Sequence, residues 1–264
     1  MKKFLVVGNP ISHSLSPEIH NYWLKKNNIF AVYEKEELKS NDLKSLILEV
    51  KKRKVEGLNV TVPFKNEIIS YLDELSLEAE MTQSVNTICL EDGKIKGYNT
   101  DVGGFELALK EAKYDVAKKK ILILGAGGVV PSIIFALNKM QSTHIILCNR
   151  TKTKAEKLKN KFDNLKVIEW GEIPDFDMVI NATSIGLKIY DDLNLDFSKI
   201  GKGKYFYDVI YNPKETNFLK IGKELGGVTE NGKKMFIYQA ALAFKIWHGI
   251  DPEIDNEVNK ILDK

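Results

Sequence analysis

The chain has 264 residues, with 44% hydrophobic and 28% charged side chains, the composition of a folded protein of roughly one or two domains, which excludes disorder. Its net charge of +3, from 39 Lys+Arg against 36 Asp+Glu, is too balanced for a protein that grips nucleic acid through its phosphates. No apolar run approaches the ~18 residues of a membrane span, and the apolar stretch after Met1 ends at Gly8, too early for a secretory signal, so a soluble cytoplasmic protein is expected.

The run FLVV within Lys2 to Val7 predicts a buried first strand. Ser16 followed by Pro17 has the form of an N-cap and a first helical residue, so a helix should run to Asn27. Strands are expected at Phe30 to Glu36 and Leu58 to Val62, with a helix between them from Asn41 to Arg53 that carries Leu43, Leu46, Ile47 and Val50 on one face. After Pro63 come short helices over Asn66 to Met81, then a hairpin over Ser84 to Asn99 that turns at Asp92-Gly93. These elements make an N-terminal mixed α/β domain over residues 1–101.

Asp101 to Lys113 reads as a connecting helix. Beyond it, strands are expected at Ile121 to Leu124, His144 to Cys148, Val167 to Ile168, Met178 to Asn181 and Tyr205 to Val209. Helices are expected at Val129 to Lys139, Thr153 to Lys161 and Glu215 to Glu224. This alternation predicts a Rossmann-like, doubly wound dinucleotide-binding domain over 102–234, with its ligand beyond the carboxyl ends of the strands. A helix from Lys234 to Trp247 and a last helix after Pro252 should complete the first domain with residues 235–264. Cys89 and Cys148 sit far apart in apolar, β-branched runs and read as buried free thiols of a reducing compartment.

The turn Gly125-Ala126-Gly127-Gly128-Val129 directly follows a buried strand and opens an apolar helix. Gly125 allows the tight turn, and Gly127 and Gly128 let backbone N–H groups approach a pyrophosphate at a helix N-terminus, where the dipole favours anions. Val130 stands in place of the usual third glycine. An NAD-preferring site places an acidic residue about 20 positions on; here the next strand ends in Asn149-Arg150-Thr151. Arg150 can stack on adenine and pair with a 2′-phosphate, and Thr151 and Lys154 add a donor and a charge, so NADP is the expected cofactor. Arg53, in the run KKRK, reads as a solvated surface charge.

Three polar clusters fall at strand ends of the first domain: Ser14-Leu15-Ser16, Asn59 through Lys65, and Asn86 with Asn99-Thr100-Asp101. Singly, Ser16 could merely cap a helix, Asn59 and Thr61 fill a strand face and Lys65 be a surface lysine. Together, beside a dinucleotide site, they point to a substrate site. Reducing a ketone by hydride leaves an oxyanion that needs a proton. Lys65 as an ammonium can stabilise that oxyanion and donate the proton.

The strings GNPISHSLSP, GLNVTVPFK, SVNTI, GYNTD, GAGG, NRT, NATSIG, DVIYNP and NGKKMFIYQA, in that order across nearly the whole chain, resemble the shikimate dehydrogenase family. The resemblance implies reversible NADPH-dependent reduction of 3-dehydroshikimate to shikimate, a step toward aromatic amino acids, in a cleft between a substrate domain and a cofactor domain. By motif, Ser14, Ser16 and Tyr211 would bind the substrate carboxylate, Thr61, Asn86, Asp101 and Gln239 the ring hydroxyls, and Lys65 and Asp101 would be the catalytic pair. Val209 and Gly232 would lie on the nicotinamide side. Lys154 departs from the second arginine of many NADP-specific members, which narrows the margin over NAD. His13, His20, His144 and His248 suggest no metal cluster, and the chemistry requires no metal. A monomer and a homodimer both stay open. A quinate/shikimate dehydrogenase using NAD is an alternative that Thr61 and the NRT loop disfavour; a non-catalytic ligand-binding homologue is another, disfavoured by the presence of both Lys65 and Asp101.

Overall fold

Strand and helix alternate along the computed structural model, which describes residues 1–188 and 190–263. The chain divides into two units, one formed by Met1–Gly104 with the chain from Ile237 onward, the other by Phe105–Phe236. Both divisions fall inside helices, α4 (Thr100–Glu111) and α8 (Lys233–His248).

The first unit begins β1 (Lys2–Gly8), α1 (Ser16–Lys26), β2 (Ala31–Glu37), α2 (Leu43–Lys51) and β3 (Gly57–Val60). It continues through β4 (Glu74–Leu75), α3 (Leu77–Thr82), β5 (Thr87–Glu91) and β6 (Lys94–Tyr98). Its sheet has the order β2-β1-β3-β5-β6-β4. β1 runs parallel to β2 and β3, whereas β5 is antiparallel to β3 and β6, so the sheet is mixed. The FLVV run is buried because β1 has a strand on either side, and Leu43, Leu46, Ile47 and Val50 of α2 pack on Leu58, Val60 and Ile88. Asp92 and Gly93 turn the hairpin with φ of 49° and 79°, the left-handed pair that a two-residue turn needs.

Several boundaries differ from expectation. Ser16 does not cap α1: it is the first helical residue, Leu15 occupies the cap position without a side-chain bond, and the Ser14 hydroxyl accepts from the Ser16 N–H at 3.3 Å. The helix expected to reach Arg53 stops at Lys51, since Arg53 takes φ 55° beyond the helix end. β3 ends at Val60, three residues before Pro63, which has no N–H to extend a ladder.

The second unit holds β7 (Lys120–Leu124), α5 (Val130–Lys139), β8 (His144–Cys148), α6 (Lys152–Lys159) and β9 (Leu165–Ile168). It then adds β10 (Met178–Asn181), β11 (Tyr205–Asp208), α7 (Asn217–Glu224) and β12 (Val228–Glu230). Its sheet order is β12-β11-β10-β7-β8-β9 with every neighbouring pair parallel. Order reverses between β7 and β10, the switch point at which a doubly wound sheet opens a crevice beyond its strand ends. β12 was not expected: a three-residue strand after Gly226-Gly227 has no apolar run and is held by backbone pairing to β11.

The C-terminal segment returns to the first unit through α8 and α9 (Asn256–Leu262). Trp247 donates its indole N–H to the Ile88 carbonyl at 3.1 Å and fills the space where a Cβ on Gly57 would stand. Trp23 donates to the Glu253 carbonyl at 3.0 Å, and Tyr22 to Asp255 Oδ2 at 2.5 Å. Among the described residues no helix is long and apolar enough to cross a membrane.

Candidate active site

Lys65, five residues past the end of β3, donates to Asp101 Oδ2 at 2.5 Å; their side chains are 13% and 8% exposed. Asp101 sits in the first turn of α4, and its backbone N–H donates to Asn99 Oδ1 at 3.1 Å. The other carboxylate oxygen, Oδ1, accepts from Asn86 Nδ2 at 2.9 Å. Asn86 is itself fixed from several sides. It receives the Thr100 backbone N–H on Oδ1 at 2.8 Å and donates to Thr100 Oγ1 at 2.9 Å, and its Nδ2 also lies 3.5 Å from Gln239 Oε1. Lys65, Asn86, Asp101 and Gln239 are thus brought together by direct side-chain bonds from the β3 exit, the β5 entry, α4 and α8.

Thr61 lies just past β3, its N–H bonded to the Val7 carbonyl at 2.9 Å, and its methyl occupies the space beside Gly8 where a Cβ would come within 2.5 Å. Ser14 and Ser16 are both buried at the start of α1. The loop that carries them is tied to β2 by Lys35, which donates to the Ser12 carbonyl at 2.5 Å, and to the chain beyond β2 by Asn9, which donates to the Leu38 carbonyl at 3.0 Å. A lysine and a carboxylate this closely joined, with hydroxyls and amides of one unit alongside, can hold a polyhydroxylated ring and move a proton to or from one of its oxygens.

The structure adds residues that the motif reading did not single out. Tyr33 of β2 donates its phenol to Asn59 Oδ1 at 2.6 Å, and Asn59 Nδ2 donates to Thr87 Oγ1 at 3.0 Å and to the Asn86 carbonyl at 2.9 Å. The only sequence signal for Tyr33 is an aromatic residue among the charges of AVYEKEE, where it alone is fully buried. His20 stacks flat on the Tyr33 ring, centroids 4.2 Å apart and planes 3° off parallel. Burial, and then the nearby His248, push the His20 pKa down to about 3. Among the described residues no group of His, Cys, Asp and Glu could hold a metal ion.

In the second unit, Gly125 leaves β7 with φ 108°, donating its N–H to the Cys148 carbonyl at 2.8 Å. A Cβ there would lie 2.9 Å from the Ala182 carbonyl oxygen, so this glycine is required by the fold. Gly127 and Gly128 differ: both are exposed, and a Cβ would meet nothing closer than 3.8 Å at Gly127 and nothing within 4 Å at Gly128. Open backbone ahead of the N-terminus of α5, where Val129 caps without a side-chain bond and Ala126 is only partly buried, fits a phosphate group that no side chain displaces.

At the end of β8, Asn149 donates to the Thr151 carbonyl at 2.8 Å. The side chains of Arg150 and Lys154 are exposed and have no hydrogen-bond or ion-pair partner among the described residues. Lys152 between them is instead committed to Glu169. Two unpaired cations four positions apart in sequence, one before α6 and one in its first turn, suit a terminal phosphate. The residues present therefore fit an NADP-type dinucleotide.

Asp208, at the end of β11, is fully buried and accepts from Thr216 Oγ1 at 2.6 Å, Asn181 Nδ2 at 3.1 Å and the Ile210 N–H at 3.0 Å. Burial pushes its pKa up to about 6 against the pull of those bonds. They fix the turn that presents Val209 and Tyr211, whose ring packs on Phe236 at 4.5 Å between centroids. Gly232 is brought against Val209, where a Cβ would fall 2.0 Å from the Val209 carbonyl oxygen, so its glycine is demanded by backbone packing whatever else it touches.

The chain matches three family models: Shikimate dehydrogenase substrate binding domain over residues 6–88, Shikimate / quinate 5-dehydrogenase over 106–211, and Shikimate 5'-dehydrogenase C-terminal domain over 234–256. It is 59% identical over 262 residues to the shikimate dehydrogenase (NADP(+)) of Pelagibacter ubique, with 99% of each chain covered. Among solved structures it is similar to the Thermus thermophilus shikimate 5-dehydrogenase in complex with NADP(H) and shikimate, at TM-score 0.89 and 31% identity over 100% of this chain and 98% of that one. The Listeria monocytogenes shikimate 5-dehydrogenase in complex with shikimate and NAD gives TM-score 0.91 and 31% identity, covering 99% and 96%.

Proposed function

The chain belongs to the shikimate dehydrogenase family, and we propose that it catalyses the reversible reduction of 3-dehydroshikimate to shikimate with NADPH. The observation that carries this reading is the buried Lys65–Asp101 pair at 2.5 Å, held on its far side by Asn86 at 2.9 Å. We assign residues 1–101 with 235–264 to the substrate and catalytic domain and 102–234 to the NADP domain; the division into two compact units at Gly104/Phe105 and Phe236/Ile237 supports this reading.

When bound, the nicotinamide supplies the hydride in reduction and receives it in oxidation. Lys65 donates the proton that the developing ring alkoxide needs, and takes it back in the reverse direction. Asp101 fixes the direction of the Lys65 ammonium and, with Thr61, Asn86 and Gln239, accepts from or donates to ring hydroxyls. Ser14, Ser16 and Tyr211 supply neutral hydroxyl donors to the substrate carboxylate. The turn Gly125 to Val129 holds the pyrophosphate, Asn149, Arg150, Thr151 and Lys154 the adenosine 2′-phosphate end, and Val209 and Gly232 the nicotinamide end. The buried free thiols Cys89 and Cys148 suit the reducing cytoplasm, where we place the enzyme as a monomer or homodimer.

Adding shikimate and NADP to the purified protein should produce the absorbance of reduced nicotinamide. Comparing kcat/KM for shikimate with NADP, shikimate with NAD, and quinate with NAD tests the reading, and a preference for quinate with NAD overturns it.

A further inference from the structure

A one-way chain of hydrogen bonds runs through the first unit and ends on the proposed catalytic carboxylate. Tyr33 donates to Asn59 Oδ1 at 2.6 Å, Asn59 to Thr87 Oγ1 at 3.0 Å, Thr87 to Asn86 Oδ1 at 3.1 Å, and Asn86 to Asp101 Oδ1 at 2.9 Å. Lys65 closes the chain from the opposite side, on Oδ2. Backbone groups and the origin agree on the direction: the Asn86 carbonyl can only accept from Asn59 Nδ2, and the Thr100 N–H can only donate to Asn86 Oδ1. A phenol has a single proton, and with that proton on Asn59 Oδ1 the Asn59 amide must turn its NH2 toward Thr87 and the Asn86 carbonyl. Thr87, accepting there, keeps its proton to donate to Asn86 Oδ1 at 3.1 Å, with Thr100 Oγ1 at 3.3 Å its other neighbour, and this donation adds to the Thr100 N–H in holding the Asn86 NH2 toward Asp101.

Tyr33 is well placed to hold that direction. It is 2% exposed, its ring is fixed by the stacked His20, and its oxygen also interacts with the Ser16 hydroxyl in the loop proposed to bind the substrate carboxylate. Asn86 has a second anchor in the Thr100 backbone N–H at 2.8 Å, so losing the Tyr33 hydroxyl loosens Asp101 without releasing it.

We propose that Tyr33 is a positioning residue of this active site, acting through Asn59, Thr87 and Asn86 to keep Asp101 in the orientation that receives Lys65. The role rests on the function proposed above.

The test uses Tyr33→Phe, Thr87→Val and their combination in the full chain. Each single change should lower kcat for shikimate oxidation about tenfold, and the double variant should lie near the worse single instead of about a hundredfold down, because both cut one chain. Tyr22→Phe removes a phenol of the same unit, bonded to Asp255 at 2.5 Å; it should lower the melting temperature and keep kcat, which separates positioning from stability. In the ligand-free protein, the side-chain amide protons of Asn86 should exchange faster in Tyr33→Phe. A kcat for Tyr33→Phe within about twofold of the parent, or a multiplicative double variant, overturns the proposal. If the parent itself does not turn over shikimate, the function proposed above fails, and Asn86 exchange then decides alone: an unchanged rate overturns the role of Tyr33.

Discussion

Lys65 and Asp101 are enclosed and cross-bonded to side chains from several elements of the first unit, whereas Arg150 and Lys154 of the second stand in solvent without a partner among the described residues. The same contrast holds for backbone: near Asp101 the amides of Thr100 and Asp101 bond to side chains, while Gly127 and Gly128 are exposed and have no side chain of their own to shield the turn. Groups that act on reacting atoms gain from being fixed before substrate arrives, since no reorganisation is then needed in the transition state. Groups that grip a polyanion need only open amides and mobile positive charge, whose pull is screened by salt. On the proposed function, chemistry and cofactor affinity therefore rest on two differently built regions, and substitutions should separate them.

The sharpest separation is expected at Lys65. Lys65→Ala should lower kcat by about 10² or more while shikimate binding, measured by titration, stays within about tenfold; unchanged turnover would remove Lys65 from the mechanism. The glycine turn should split within itself. Gly125→Ala, at φ 108° and against the Ala182 carbonyl, should cost about 2 kcal/mol in urea unfolding. Gly128→Ala should leave stability within about 0.5 kcal/mol and raise KM for NADP. Arg150→Ala should raise KM for NADP about tenfold, leave that for NAD within about twofold and leave the melting temperature unmoved; equal effects on both cofactors would count against a 2′-phosphate contact.

Stability should also depend on pH, and the two regions should respond with opposite sign. His20 of the first unit stays neutral down to about 3 when folded, whereas in the unfolded chain it takes a proton near 6.5. Its contribution is complete above about pH 6.5 and declines by about 1.4 kcal/mol per unit as the pH falls toward the folded value. Asp208 of the second unit has its folded pKa raised to about 6, so its contribution is complete below about pH 3.8 and is lost as pH rises through 6. Relative to the parent, His20→Leu should thus gain stability on acidification from pH 7 to 5 and Asp208→Asn should lose it, as read from urea midpoints. Differences that do not change with pH would show that neither group titrates as its burial dictates.

The long apolar strands and the Asp-Gly hairpin are legible in the sequence because their pattern is local: β8 and β10 run over the very residues that their apolar stretches mark. β12 is not, because three residues after a glycine pair carry no periodicity and owe their strand to β11. Lys65 and Asp101 are 36 positions apart, and no spacing rule says that these two strand exits meet; motif resemblance supplies that, and the coordinates supply the bond. Tyr33 is beyond either route, since nothing in AVYEKEE tells that its hydroxyl reaches across to β3. Gly232 marks a similar limit. Its resemblance suggests a cofactor contact, but the collision of any Cβ with the Val209 backbone appears only once the chain has folded.

The split of the first unit into two pieces of sequence also bears on how the molecule is made. On the ribosome, Ile237 and all that follows emerge only after residues 105–236 are complete, a delay on the order of ten seconds at ordinary elongation rates. During that interval the newborn β3 and β5 lack Trp247, and Trp23 and Tyr22 of α1 lack Glu253 and Asp255. The second unit, contiguous in sequence, has every strand of its sheet in hand by then. The first unit therefore waits for the second before its own last segment arrives, and its proposed catalytic pocket acquires Gln239 only then.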